Sequence, residues 1–219
     1  MAASLFRWSG GDVAQGFAMR KEQDFYFNKA KKENYPARSV YKLEEAQQKY
    51  KFFKKKQRVL DLGCHPGSWS LYAAKVVGAK GAVVGVDLQH TDIPTQKDHA
   101  EINWLCYDVY SDELITELRK LWPGFHALVS DMAPRTTGNQ FSDHQHSLRL
   151  CRRALEIAEL MLHENGSLYC KVFQGVDFPE FQQECKQHFA TVKVVKPQSS
   201  RTESREVFLL GRGFRRKKG

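Results

Sequence analysis

Short apolar runs alternate with segments of helical periodicity from residue 57 onward. Seven runs rich in β-branched and aromatic residues predict strands at 57–62, 82–87, 102–107, 126–131, 166–172, 190–195 and 206–211. The segments between them predict helices near 69–78, 110–121, 143–163 and 178–188. Strands that alternate with helices in this way are typical of a parallel sheet covered by helices.

The longest predicted helix has its apolar residues on one side. They recur at helical spacing as Leu148, Cys151, Leu155, Ala158 and Leu162. This stripe is typical of a helix that covers a sheet, and the pair Ser142–Asp143 offers side chains suited to its N-cap. We therefore expect the helix to pack on the sheet rather than to bind a ligand through its apolar face.

The segment ahead of the sheet combines a further helix with a basic arm. The sequence ARSVYKLEEAQQKYKFF (37–53) predicts an amphipathic helix in which Lys42 lies off the apolar line. Upstream, DFYFNKAKKENYPAR (24–38) mixes aromatic and basic residues, a composition suited to base stacking and phosphate contact. The aromatic side chains could instead dock on the core. The one-sided charge favours the RNA interpretation.

Size and composition indicate one soluble domain. The chain has 219 residues, of which 42% are hydrophobic, and this is enough for one sizeable core. Its apolar runs are too short to cross a bilayer, and the first residues do not include the apolar centre of a secretory signal. Arginine is too sparse near the start to favour a transit peptide. We expect a cytoplasmic protein that does not bind membranes.

The cysteines argue against a disulfide framework and against zinc. There are five of them, an odd number, and they form no C-x-x-C pair. We expect reduced and mostly buried thiols, and no bound metal.

The net charge of +9 is distributed unevenly. Residues 1–58 carry 14 basic and 6 acidic groups, residues 201–219 carry 7 and 2, and residues 59–200 carry 13 and 17. Basic ends around a mildly acidic centre are typical of proteins that bind polyanions, since Lys and Arg release counterions from phosphates. Charged segments of this kind also serve solubility alone, so charge leaves the two explanations about equally open.

Charged residues recur where the predicted strands end. These residues are Asp61 before Gly63, Asp87, Asp108 and Asp131 after the first four strands, with Lys171 in the fifth. In open α/β sheets, ligands bind outside the carboxyl ends of the strands. The side chains are therefore predicted to converge on one crevice.

The loop in VLDLGCHPGSW (59–69) has the glycines of a nucleoside site. Gly63 and Gly67 allow a tight turn and a close approach to a ligand, and Asp87 follows at the distance expected of a ribose-binding acid. A standard NAD fingerprint requires glycine at positions 65 and 68, and a P-loop requires G-K-[ST]. The sequence has neither, which makes an NAD-dependent oxidoreductase an unfavoured alternative.

Two histidine-containing pairs are weak candidates for chemistry. Zinc at Cys64–His65 would need further ligands, and a thiol nucleophile would need a positioned histidine elsewhere. We expect this pair to contribute its backbone to the glycine loop. His144 and His146 lie two residues apart at a helix start, where they point to different faces, and we expect them at the surface.

Six stretches occur in an order that is specific to one family. They are ARSVYKLEE, VLDLGCHPGSWS, VVGVDL, SDMAP, LYCKVFQG and SSRTESREVFLL. With them the chain resembles, from about Asp24 to Phe214, the FtsJ/RrmJ family of S-adenosylmethionine-dependent RNA ribose 2′-O-methyltransferases. The sequence departs from the family at Cys64–His65, where two small residues are common, and at Ser68, where glycine is common.

The resemblance implies a fold and a set of site residues. The implied fold is a Rossmann-like α/β domain with a mostly parallel seven-stranded sheet, an antiparallel last strand and helices on both faces. The implied catalytic tetrad is Lys42, Asp131, Lys171 and Glu206, and the implied cofactor contacts are Gly63, Gly67, Trp69, Asp87, Asp108 and Asp131. The alternative is that the four charged residues form ordinary surface ion pairs, but four matches in order favour catalysis.

The tetrad fits the chemistry of ribose methylation. A ribose hydroxyl is a poor nucleophile at neutral pH, so methyl transfer needs a base and in-line placement of the reactants. We predict that Lys171 is the proton acceptor, with the nearby cation Lys42 favouring its neutral form and Asp131 opposing this. Glu206 would orient Lys42 or the target ribose.

The resemblance also implies the substrate and the division of the chain. It points to a uridine of large-subunit ribosomal RNA, with tRNA as the alternative substrate. A different class of alternative is a noncatalytic RNA-binding factor in ribosome assembly. We expect a monomer with a basic arm at 1–34, a methyltransferase domain at 35–212 and a basic tail at 213–219.

Overall fold

The computed structural model describes residues 25–201 and 203–216. The helices of this part are α1 (25–32), α2 (Val40–Tyr50), α3 (Ser68–Val77), α4 (Glu113–Leu121), α5 (Gln140–Met161) and α6 (Phe178–His188). The strands are β1 (Arg58–Leu62), β2 (Ala82–Asp87), β3 (Glu101–Cys106), β4 (Phe125–Ser130), β5 (Leu162–Phe173), β6 (Phe189–Val195) and β7 (Glu206–Phe214). None of these helices is both long and apolar enough to cross a membrane.

The strands form one mixed sheet in the order β3-β2-β1-β4-β5-β7-β6. Strands β1 to β5 run parallel to one another, whereas β7 lies antiparallel between β5 and β6. The predicted fold class is confirmed, including the antiparallel last strand. Strand order reverses between β1 and β4, which is where an open α/β sheet forms its ligand crevice.

Helices cover both faces of the sheet because both faces are apolar. One core cluster joins the sheet to apolar residues of α4, α5 and α6, and it contains the whole stripe predicted from Leu148 to Leu162. A second cluster on the other face includes residues of α1, α2 and α3, among them Trp69. The central strands are buried on both sides, which explains why they read as continuous apolar runs.

Two strands extend beyond their predicted limits. Strand β5 begins at Leu162 directly after α5, and its register with β4 shifts between the pairs Phe125–Leu162 and Ala127–Ser167. Strand β7 continues to Phe214, which is buried against Phe189. Residues 213 and 214, assigned above to the tail, therefore belong to the sheet. The remaining division into arm, domain and tail stays a prediction, and residues 1–24 and 217–219 lie outside the described residues.

The N-cap of α5 differs from the predicted one. Asn139 caps this helix, and its side chain accepts hydrogen bonds from the backbone N–H groups of Phe141 and Ser142. Asp143 instead accepts from the backbone and the hydroxyl of Thr137. The prediction of a cap at Ser142–Asp143 was wrong because the preceding loop leaves Asn139 extended, so that the helix starts earlier.

Candidate active site

A cavity of about 1170 Å³ opens at the carboxyl ends of β1, β2, β3 and β4. Four of the predicted site residues line it, namely Gly63, Asp87, Asp108 and Asp131. They are scattered over 69 positions of the chain but meet here because parallel strands end at one edge of the sheet. The convergence expected from the sequence is present for Asp87, Asp108 and Asp131, whereas Asp61 and Lys171 do not line this cavity.

The loop after β1 needs its glycines. The backbone N–H groups of Gly63 and Cys64 both donate to the carbonyl of Val86, which folds the loop back on β2. Gly63 has φ +76°, and a Cβ there would lie only 2.6 Å from Cγ of Met132. Gly67 has φ +106° where α3 begins. Both positions favour glycine, since other residues rarely adopt positive φ.

Asp87 and Asp108 accept hydrogen bonds from the backbone of the loops that form the cavity wall. The two carboxylate oxygens of Asp87 accept from the backbone N–H groups of His65 and Gln89 at 3.0 and 2.9 Å. Asp108 accepts from the N–H of Tyr110 at 2.9 Å. Each carboxylate oxygen has two lone-pair sites, so both side chains can accept further hydrogen bonds from a ligand.

The cavity wall also includes apolar side chains. Val86, Leu88, Val109, Tyr110 and Met132 line it, and Leu88 is 70% exposed. Apolar walls with a few carboxylate acceptors suit a ligand that combines a flat ring with a hydroxylated sugar. The residues present therefore fit a nucleoside cofactor.

Trp69 and Gly67 do not line this cavity. The Trp69 side chain lies in the core cluster on the opposite face of the sheet, where it packs against Tyr169 and Phe208 at centroid distances of 5.8 Å. Its indole N–H donates to the carbonyl of Ser39, next to the start of α2. The structure thus leaves Trp69 only its backbone, in the first turn of α3, for any contact with a ligand.

The four residues of the predicted tetrad form two close ion pairs. Lys171 of β5 places its Nζ 2.9 Å from Oδ1 of Asp131, and it also donates to the backbone carbonyl of Asp131. Lys42 of α2 lies 2.7 and 2.9 Å from the two carboxylate oxygens of Glu206. Lys171 and Glu206 are only 8% and 9% exposed. These pairs are therefore not the solvated surface pairs of the alternative interpretation.

Electrostatics connects the two pairs into one cluster. Burial by itself would raise the pKa of Glu206, but Lys42, its hydrogen bond, Lys171 and the Ser200 hydroxyl together lower this pKa below its usual value. Glu206 is consequently ionised at neutral pH. Asp131 belongs both to this cluster and to the cavity wall, so the charged cluster adjoins the cavity.

The residues that hydrogen-bond to Glu206 were not predicted from the sequence. The hydroxyl of Ser200 donates to Oε1 of Glu206 at 2.9 Å, and Lys196 Nζ donates to its backbone carbonyl at 2.9 Å. The same loop is fastened to α2, where Glu45 accepts from the N–H groups of Gln198 and Ser199. The motif SSRTESREVF contained the signal, but the sequence did not distinguish which serine faces the carboxylate.

Asp61 lies beneath the site rather than in it. This residue of β1 is 0% exposed and accepts a 2.6 Å hydrogen bond from the Ser70 hydroxyl, while its Oδ1 has no hydrogen-bond partner among the described residues. Burial raises the pKa of Asp61 to about 7; the Ser70 hydrogen bond opposes this, and the carboxylates of Asp131 and Asp87 add to it. Asp61 therefore titrates near neutrality.

Cys64 has the properties of a structural thiol. Burial, with the Asp61 and Asp87 carboxylates adding to it, raises the pKa of Cys64 well above its usual range. A thiol that stays protonated is neither a nucleophile nor a metal ligand. Within residues 25–201 and 203–216, no group of three or more His, Cys, Asp or Glu residues could hold a metal ion.

His144 differs from its prediction. It is buried, its Nδ1 contacts the carbonyl of Phe173 at 2.8 Å, and its Nε2 accepts from the N–H of Asp177 at 3.2 Å. Gly175 passes so close that a Cβ would lie 2.5 Å from the imidazole. The surface assignment was wrong for His144 because the loop after β5 folds over it. His146 is partly exposed and lines the cavity.

Comparison with known proteins agrees with this architecture. Residues 35–214 match the family described as FtsJ-like methyltransferase. A protein of Desulfotalea psychrophila named Ribosomal RNA large subunit methyltransferase E is 54% identical over 198 residues, which cover 90% of this chain and 98% of that protein. A protein of the same name from Lawsonia intracellularis is 46% identical over 200 residues, covering 90% and 98%.

A solved structure shows the same fold. The crystal structure from Plasmodium falciparum, described as that of a ribosomal RNA methyltransferase, superposes with a TM-score of 0.71 at 27% identity. The match covers 84% of this chain and all of that one. The sheet order, the glycine loop and the matched length lead to one conclusion. The chain belongs to the family of FtsJ-like methyltransferases.

Proposed function

We propose that this protein transfers a methyl group from S-adenosylmethionine to a ribose 2′-hydroxyl of large-subunit ribosomal RNA, at a uridine. The observation that supports it best is the position of Asp131, which lines the cavity at the strand ends and also pairs with Lys171. Relatives named as large-subunit ribosomal RNA methyltransferases support the substrate. The proposal includes action as a monomer in the cytoplasm.

The proposed cofactor site uses the residues that the cavity brings together. S-adenosylmethionine, when bound, supplies an electrophilic methyl group. Asp87 would accept from the ribose hydroxyls of the cofactor, Asp108 from the adenine amine, and Asp131 would face the sulfonium. Gly63 leaves room for the close approach of a ligand, and Trp69 would offer its backbone N–H at the N-terminus of α3, where a carboxylate is stabilised. The N–H of Gly67 already donates to the carbonyl of Cys64, so Gly67 would contribute the shape of the turn.

In the proposed mechanism, the neutral amine form of Lys171 accepts the proton of the target hydroxyl and becomes the ammonium that pairs with Asp131. The Asp131 carboxylate 2.9 Å away fixes the position of its amine. Lys42 is engaged by ionised Glu206, and this pair would hold the target ribose by hydrogen bonds. The chain thus contributes placement and a base, the two requirements of the reaction.

The test is transfer of label from methyl-labelled S-adenosylmethionine to large ribosomal subunits and to tRNA, both purified from cells that do not make the protein. We expect label in the ribosomal RNA, recovered in an alkali-stable dinucleotide because a 2′-O-methyl group prevents cleavage of the adjoining phosphodiester. Digestion to nucleosides would identify uridine. Label in tRNA alone would overturn the substrate, label on a base would overturn the ribose assignment, and no label would favour the noncatalytic alternative.

Replacement of Ser200 with alanine is expected to slow methyl transfer by roughly 10- to 100-fold, since a hydrogen bond to a charged group is worth about 1.5–3 kcal/mol. The alanine variant leaves Glu206 with Lys42 but without the Ser200 hydroxyl, so its carboxylate is held less firmly. The lost hydrogen bond also allows the pKa of Glu206 to rise, so the acid limb of the rate profile should move to higher pH.

A threonine at position 200 should restore both the rate and the pH profile, since it restores the hydroxyl. Replacement of Ser204, whose hydroxyl accepts from the backbone N–H of Glu206 rather than contacting its carboxylate, provides a comparison within the same loop. A Ser200→Ala protein with an unchanged profile would show that Ser200 does not position Glu206.

A further inference from the structure

Two arginines in the cavity wall have no partner in the described part of the chain. Arg135 follows β4 in the SDMAPR segment, and Arg149 lies on α5. Both side chains are exposed and line the cavity that also contains Asp87 and Asp108. Neither makes an ion pair or a hydrogen bond with residues 25–201 or 203–216. Their positive charges are therefore available to a ligand.

Two other arginines of the same wall, in contrast, have partners within the protein. Arg152 makes a bidentate contact with Glu184 of α6, with distances of 2.6 to 3.1 Å. Arg153 donates to the carbonyl of Val109 at 2.6 Å and to Glu156 at 2.9 Å. These two charges fasten α5 to its neighbours. Arg135 and Arg149 differ from them because they have no ion-pair partner in the described residues. Positive charges on a concave surface raise the local concentration of anions.

None of the cavity's carboxylates forms an ion pair with Arg135 or Arg149 in the described residues. Asp87 and Asp108 contact backbone N–H groups, and Asp131 is paired with Lys171. Glu156 is the partner of Arg153. Anionic groups of a ligand could therefore bind Arg135 and Arg149 without displacing an existing ion pair.

The cavity has room for more than a nucleoside cofactor. Its volume of about 1170 Å³ exceeds the range of roughly 300–1000 Å³ that is usual for pockets that enclose one small ligand. Part of the space can accept a segment of the substrate. A strand that presents a ribose to Lys171 beside Asp131 also carries a phosphate on each side of that ribose, and a neighbouring wall with two free guanidinium groups is suited to contact such phosphates.

We propose that Arg135 and Arg149 bind backbone phosphates of the RNA strand that carries the target ribose, an inference that rests on the function proposed above. Guanidinium groups match phosphate geometry through paired N–H donors, which suits them to this role. The site holds the strand in register beside the cofactor pocket. It contributes to RNA affinity and to placement of the ribose, not to the proton transfer.

The test compares an Arg135→Gln/Arg149→Gln double variant with Arg119→Gln. Arg119 is an exposed arginine of α4 that lies outside the cavity wall and has no ion pair in the described chain. For the double variant we expect about a tenfold rise in KM for unmethylated large subunits. The slope of log affinity for their RNA against log salt should become shallower by about 1.4, or 0.7 for each lost phosphate contact. Affinity for S-adenosylmethionine should stay unchanged, and Arg119→Gln should behave as the unaltered protein.

Each other result would overturn the proposal. An unchanged KM and salt slope would show that the two arginines do not contact RNA. A loss of affinity for S-adenosylmethionine with an unchanged salt slope would assign them to the cofactor instead. The single variants provide a check on folding, since either alone should shift the slope by about half as much. If the unaltered protein and the variants bind and methylate the RNA equally well, only the inference about the two arginines fails. If the unaltered protein neither binds nor methylates RNA, the proposed function fails as well.

Discussion

Replacing Lys171 with alanine is expected to slow methyl transfer by roughly 10²- to 10⁴-fold, the usual contribution of a positioned general base. Lys171 is buried, and its amine lies 2.9 Å from the Asp131 carboxylate at the cavity wall. Alanine removes the proposed proton acceptor and leaves the cofactor pocket and the RNA surface in place. The measurement is the single-turnover rate with methyl-labelled S-adenosylmethionine and unmethylated large ribosomal subunits.

The matched control for this experiment is Lys186→Ala. Lys186 is an exposed lysine in the last turn of α6, and its removal should leave the rate unchanged. Affinities of Lys171→Ala for the cofactor and for RNA should stay near those of the unaltered protein, which separates loss of chemistry from loss of folding. A Lys171→Ala protein that methylates at the normal rate would exclude Lys171 as the proton acceptor.

Asparagine at position 61 is expected to change how stability depends on pH. The raised pKa of Asp61 means that the folded protein binds this proton more tightly than the unfolded chain does. Protonated Asp61 therefore stabilises the folded state more and more as the pH falls from about 7, the pKa in the folded protein, toward 3.8, the ordinary pKa of an aspartate. Above pH 7 the buried carboxylate is charged and destabilises the folded state. One pKa unit is worth about 1.4 kcal/mol.

We therefore compare the free energy of unfolding of Asp61→Asn with that of the unaltered protein. When the pH rises from 5 to 8, the value for Asp61→Asn should increase relative to that of the unaltered protein by about 2–3 kcal/mol. The Ser70 hydroxyl can donate to the asparagine carbonyl, so the main change is the loss of a buried charge. Urea unfolding at both pH values measures the effect. Asp112→Asn, at an exposed position before α4, should show no comparable shift. Parallel stability curves for Asp61→Asn and the unaltered protein would show that Asp61 is ionised in the folded state at pH 5.

Local pattern was sufficient for the fold. The seven predicted strands and the helices between them are all present, because runs buried on both faces and stripes at helical spacing are properties of neighbouring residues. Errors occurred where a distant segment decided the outcome. His144 was expected at the surface, but the loop at Gly175, 31 positions away, covers it. No local pattern around His144 reports that contact.

For the candidate site, likewise, the sequence predicted some positions and not others. Asp87, Asp108 and Asp131 could be predicted because each follows a strand, and parallel strands deliver their ends to one edge. The side chain of Trp69 could not be placed, since it lies one residue after the α3 N-terminus and its direction depends on which face the helix covers. The structure assigns it to the core opposite the cavity.

The sequence by itself determined the succession of strands and helices along the chain and the glycine loop, and the family resemblance selected the four charged residues of the proposed tetrad. Only the tertiary structure decided how those residues pair and what supports them. Lys42 and Glu206 are 164 positions apart, and their contact requires both the docking of α2 and the antiparallel register that sets Glu206 opposite Phe173. The contact of Ser200 with Glu206, and the difference between paired and unpaired arginines on the cavity wall, likewise depend on distances between segments. Such distances arise from packing of the whole chain, and residue types along the sequence do not specify them.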